Sequence, residues 1–152
     1  HLNPAKLDAV ETLLNDTDER VIIFYSFVND YEALLSICEK LGKPVSVVNG
    51  SEKDLTNYET KENSVTLCQT QSASYGLNLQ KANKLIYFSI GESADGYIQS
   101  LGRIRRIGQK KTCYYYYLIC ENRVETDILE SVKNGNDYND NLFKKYLKRC
   151  DL

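Results

Sequence analysis

The residues of this chain whose types and spacing best fit a chemical task form the stretch Gln99-x-x-Gly102-Arg103-x-x-Arg106-x-Gly108-Gln109. Arg103 and Arg106 stand three positions apart, so both project from one face if the segment is a helix end. Two guanidiniums so placed can offer bidentate donors to phosphate oxygens. In phosphoryl transfer such arginines stabilise the charge spreading over a γ-phosphate, an effect of roughly 10³–10⁵ in rate. Gly102 removes a side chain where backbone or nucleotide must come close. A bare pair of arginines is ordinarily solvated surface charge. The pattern with both glycines and both glutamines is far more specific.

Other chemistries are poorly supplied. His1 is the only histidine, which argues against Cys/His metal sites and against Ser-His or Cys-His catalytic pairs, so no metal ligand set is expected. Cys38, Cys68, Cys113, Cys120 and Cys150 are odd in number and never in CxxC spacing. They read as reduced thiols of a cytoplasmic protein. Neither a G-x-x-x-x-G-K-[ST] phosphate loop nor an acidic magnesium box of the D-E-x-H type occurs. The net charge of −2 gives no global nucleic-acid signature, yet Arg103, Arg105, Arg106, Lys110 and Lys111 crowd one acid-free run. Apolar runs are too short to span a bilayer, and no signal peptide opens the chain. The start at His1 without Met points to a fragment boundary.

The elements that position these residues follow from hydrophobic periodicity. Asn3-Pro4 opens a helix with Leu7, Val10 and Leu14 on one face. Val21 to Phe27 is apolar on both faces, as a central parallel strand requires. A helix from about Asn29 to Leu41 turns Leu34, Leu35, Cys38 and Leu41 to the sheet, and Gly42 stops it. Val45 to Val48 is a strand ended by Asn49-Gly50, after which Ser51-x-x-Asp54 is expected to cap a short helix through Tyr58. Ser64 to Cys68, Lys84 to Phe88 and Thr112 to Cys120 read as further strands. Helices are expected from Ser93 or Ala94 to Ile104, from Arg123 to Lys133 and from Asp140 to Lys148. This alternation gives an α/β fold with a mainly parallel sheet and helices on both faces. Ligands of such sheets sit on loops beyond the carboxyl ends of strands, here Gln69 to Leu79 and Gly91 to Gly108.

At this point a family resemblance is plain. The 99–109 run resembles motif VI of Swi/Snf-related superfamily-two helicase-type ATPases. Gln71-Ser72-Ala73-Ser74-Tyr75-Gly76-Leu77-Asn78-Leu79-Gln80 is similar to motif V, in the QSAGHGLNLQ form of a phage or prophage-like branch. Val21 to Phe27 resembles motif IV, and Asn49-Gly50-Ser51 the turn after the next strand. The chain departs from the family in having no arginine shortly after that turn, none occurring between Lys53 and Phe88, in Ser74 for a glycine, and in Ser89 to Ser93 in place of W-N-P.

The resemblance implies the C-terminal RecA-like lobe of a DNA-dependent motor, over residues 1–133, with 134–152 as a helical extension packing on the same domain or a partner. It implies that Arg103 and Arg106 are arginine fingers for ATP and Mg²⁺ held mainly by an N-terminal RecA-like lobe. Gln99, Gly102, Gly76 and Asn78 would face the nucleotide. Ser26, Thr70, Gln71 and Ser72 would grip the DNA backbone, double-stranded and independent of sequence. Arg105 is left as solvated charge or a DNA contact. The competing reading is a catalytically silent RecA-like module that binds nucleic acid or protein. A Rossmann-like cofactor enzyme fails for want of a Gly-rich loop after the first strand.

Overall fold

A computed structural model of the chain describes residues 3–75, 77–90, 94–119 and 123–134, with backbone alone at 73–75, 94–96, 123 and 124. Helix α1 (Pro4–Asn15) begins as expected, Asn3 Oδ1 accepting from the Ala5 amide at 2.8 Å with Pro4 in the first turn. Strand β1 (Val21–Tyr25) follows, then α2 (Val28–Lys40), β2 (Val45–Val48), β3 (Lys53–Asp54) and α3 (Thr56–Thr60). After these come β4 (Val65–Gln69), a 3-10 turn (Thr70–Tyr75), β5 (Lys84–Tyr87), α4 (Ala94–Leu101), β6 (Tyr114–Tyr117) and α5 (Arg123–Lys133). The expected helix at 140–148 and the extension beyond Asn134 lie outside the described residues.

The six strands form one sheet in the order β3-β2-β4-β1-β5-β6. Every pairing is parallel except β2 with β3. Strand β1 is central, flanked by β4 and β5, and all five of its residues are buried. Ile22 and Phe24 face one side, packing with Leu85, Tyr87, Leu79, Tyr97, Ile104 and Val132. Val21, Ile23 and Tyr25 face the other, under Val10, Leu14, Leu34 and Cys38 of α1 and α2. A strand without a polar face therefore has helices on both sides.

Several boundaries differ from expectation, and the following do so for local reasons. Strand β1 stops at Tyr25 because the Ser26 amide donates to Ser89 Oγ at 2.7 Å, leaving the ladder. Phe27 then precedes α2, its amide donating to Asp30 Oδ2. The short helix starts at Thr56, whose amide donates to Asp54 Oδ1 at 3.0 Å, and Ser51 does not cap it, since Asn49 Oδ1 accepts from the Ser51 and Glu52 amides and folds the chain back. That reversal lays Lys53–Asp54 antiparallel to β2. Helix α4 ends at Leu101 rather than Ile104, its last turn tightened by Gly102 and Arg103 amides donating to Gln99 and Ser100 carbonyls at 3.2 Å. Strand β6 begins at Tyr114, because the Thr112 carbonyl accepts from Asn83 Nδ2 at 2.8 Å. Helix α2 stops as expected at Gly42, whose φ of +68° permits paired bonds from Gly42 and Lys43 amides to Glu39 and Cys38 carbonyls. Cys38, Cys68 and Cys113 are free thiols, and burial pushes the first two up to about 12. Among the described residues no helix is long and apolar enough to cross a membrane.

Candidate functional site

The early end of α4 decides how the two arginines are presented. Residues 102–108 run as turns, so Arg103 and Arg106 do not share a helix face. Arg103 turns inward and is only 4% exposed. Its Nη1 donates to the Leu77 carbonyl at 3.1 Å, while its Nε is buried without an acceptor. Arg106 points outward and folds its Nε onto the Gly102 carbonyl at 2.8 Å. Burial and the neighbouring Arg106 cation together hold the Arg103 pKa below the usual guanidinium value. Among the described residues no carboxylate forms an ion pair with either arginine.

The remaining nucleotide-facing candidates divide. Gln99 and Asn78 are exposed, and Asn78 Oδ1 accepts from the Gln80 amide at 3.2 Å. Gly76 lies outside the described residues. Gly102 is not forced by packing within this chain, for a Cβ there would meet only the Gln99 carbonyl at an ordinary 3.6 Å. Gly108 is the constrained one, with φ +97° and a Cβ position 3.3 Å from Gln80 Nε2.

Ser26 and Thr70 come together at the carboxyl ends of β1 and β4, their hydroxyls 3.2 Å apart. Thr70 spends its hydroxyl hydrogen on the Tyr25 carbonyl at 2.9 Å, so Ser26 is the donor of the pair. A rotation of that one hydroxyl frees a donor for an outside anion, whereas Thr70 serves to orient it. Gln71 is exposed and Ser72 is buried. The basic run is also smaller than its sequence implies, because Lys111 pairs with Glu19 at 2.8 Å. Arg105, Arg106 and Lys110 remain exposed.

Two groups escaped sequence reading. Buried Asp30 accepts from Ser89 Oγ at 2.8 Å, and Ser89 in turn accepts from the Ser26 amide, so a carboxylate braces the loop carrying Ser26. Ser89 stands where the family has W-N-P, and nothing in its residue type signalled that task. The other is Gln109, visible in the motif but without an assigned role, whose Nε2 lies within 3.0 Å of three backbone carbonyls.

A family model described as the helicase conserved C-terminal domain matches residues 5–108, a span that includes both arginines. Chromodomain-helicase-DNA-binding protein 1 of Homo sapiens is 30% identical over 135 residues, taking up 84% of this chain and 8% of that protein. DNA repair and recombination protein RDH54 of Saccharomyces cerevisiae is 26% identical over 171 residues, or 95% of this chain and 18% of that protein. The chain thus spans less than a fifth of the length of these relatives. The crystal structure of the C-terminal part of the Fun30 ATPase domain matches with a TM-score of 0.76 at 24% identity, covering 90% of this chain and 47% of that one. That likeness establishes the RecA-like fold. By its family match and its relatives, the chain belongs to the helicase conserved C-terminal domain family, homologous to the Swi/Snf-type ATPases.

Proposed function

We propose that this chain is the second lobe of a DNA-dependent ATPase that translocates along DNA. Arg103 and Arg106 act as arginine fingers toward ATP, which an N-terminal RecA-like lobe holds together with Mg²⁺. Ser26, oriented by Thr70, and Gln71 face the phosphate backbone of double-stranded DNA. The likeness of residues 71–80 to the QSAGHGLNLQ form is the support for a phage or prophage-like branch.

One observation carries the reading. The buried Arg103 guanidinium has an unfilled donor and a like charge beside it, and both the unmade bond and the repulsion oppose its burial in the absence of an anion. An incoming phosphate would supply the missing acceptor and neutralise both cations at once. The Gly102 face, uncrowded by this chain, leaves room for that approach. The alternative is a catalytically silent module that binds nucleic acid or protein, and turnover of the intact protein separates the two.

The first test is the isolated chain. It lacks a phosphate loop, so it should hydrolyse ATP no faster than buffer, with or without DNA. Turnover by this chain that an Arg103→Ala change abolishes would sink the two-lobe reading.

A second expectation concerns DNA binding by the chain. Contacts at Ser26, Gln71 and Lys110 would be to phosphates, so binding should be weak, indifferent to sequence and sensitive to salt. Fluorescence anisotropy with two unrelated duplexes across a salt series measures this. An affinity that holds constant from low to moderate salt rules it out.

A further inference from the structure

We propose that Gln109 is a positioning residue for the two arginines, a role that rests on the finger reading above. Its carboxamide is oriented without ambiguity, because Oε1 accepts from the Lys111 amide at 3.2 Å while Nε2 faces only carbonyls. Those carbonyls belong to Gln80 at 3.0 Å, Ala82 at 2.8 Å and Ile104 at 2.9 Å. An amide nitrogen carries two hydrogens, so three acceptors share them, and one side chain ties three separate points of backbone.

The points it ties matter. Ile104 follows Arg103 directly, and Gln80 and Ala82 close the loop that begins at Leu77. The same two segments meet again where Arg103 Nη1 donates to the Leu77 carbonyl and the Leu79 amide donates to the Arg103 carbonyl at 2.9 Å. The Gln109 amide donates to the Arg106 carbonyl at 3.0 Å, fixing the turn that carries the exposed arginine. Gly108, at φ +97° against the Gln80 side chain, lets the chain place Gln109 under this loop. Gln109 is therefore the lock between the arginine turn and the 77–82 loop. Releasing it leaves both arginines present but lets their backbone drift. Misplacing a reacting group by about 1 Å can cost on the order of 10²-fold in rate.

The test uses the intact ATPase that contains this lobe, with saturating DNA and a temperature well below its melting point. Gln109→Met keeps the length and removes every polar contact. It should lower kcat by about tenfold or more while KM for ATP stays within about threefold. Should the Met variant not fold, Gln109→Asn, which draws the amide back by one methylene, carries the same expectation. A Met variant with unchanged kcat, or one whose loss disappears on cooling below its own melting transition, overturns the positioning role. Arg103→Ala runs in parallel. If it is inactive while Gln109→Met is fully active, only the Gln109 proposal falls. If Arg103→Ala keeps full turnover, the finger reading falls and takes the proposal with it.

Discussion

Substituting Arg103 or Arg106 by Ala in the intact ATPase is expected to remove on the order of 3–6 kcal/mol of transition-state stabilisation, a fall of roughly 10²–10⁴ in turnover. A finger acts on charge that develops only in the transition state, so ATP binding should change far less. Lys should rescue either site poorly, since a point charge cannot present the planar two-donor fork. Arg105→Ala is the internal control and should keep most activity. The three variants will not melt alike. Arg105 and Arg106 are exposed, and their removal should stay within about 0.5 kcal/mol of the parent. Arg103 is buried, so its removal leaves a void and strips the Leu77 carbonyl of its partner, lowering stability by about 1–3 kcal/mol. Each rate must therefore be read below the melting transition of its own variant. Steady-state ATPase with DNA, alongside thermal melting, checks all of this. A dead Arg105→Ala beside active Arg103→Ala and Arg106→Ala would show that the register assigned to the motif is wrong.

The burial of Arg103 shows where sequence reasoning stops. Spacing three apart placed both arginines on one helix face, and the order and type of the elements around them were correctly legible. What ends α4 early is a set of three-residue backbone bonds at Gln99 and Ser100, together with a guanidinium drawn to a carbonyl on another loop. Contacts at that sequence separation leave no periodic trace. The same holds for Asn49, whose carboxamide builds the turn that spacing had attributed to a Ser51 cap. By contrast, Val21 to Tyr25 declared itself as a buried strand, because a sheet covered on both faces needs apolar residues at every position. Ser26 and Thr70 were named separately from their motifs, yet only the parallel register of β1 with β4 sets their hydroxyls against each other.

The largest expected effect on stability lies at Phe24. It is fully buried on the central strand, and its ring stacks on Tyr87 with centroids 5.9 Å apart. Tyr87 stacks in turn on Tyr117 at 4.9 Å, so Phe24 supports an aromatic layer reaching the edge strand β6. Phe24→Ala should cost about 3–5 kcal/mol, the sum of lost transfer energy and the cavity left behind. Against a total stability of roughly 5–15 kcal/mol, that removes much of what holds a domain folded. Phe24→Leu keeps most of the volume and should cost less, about 1–2 kcal/mol including the lost ring stacking. The comparison that decides is Phe27→Ala. Phe27 lies three residues along and was expected to belong to the same strand, but it is 65% exposed beyond the point where Ser26 leaves the ladder. Its removal should fall within about 0.5 kcal/mol of the parent. Urea unfolding measures both, the midpoint shifting for Phe24→Ala with an unchanged slope. A larger loss at Phe27 than at Phe24 would mean that β1 runs on past Tyr25 and that Ser26 is not free to turn its hydroxyl outward.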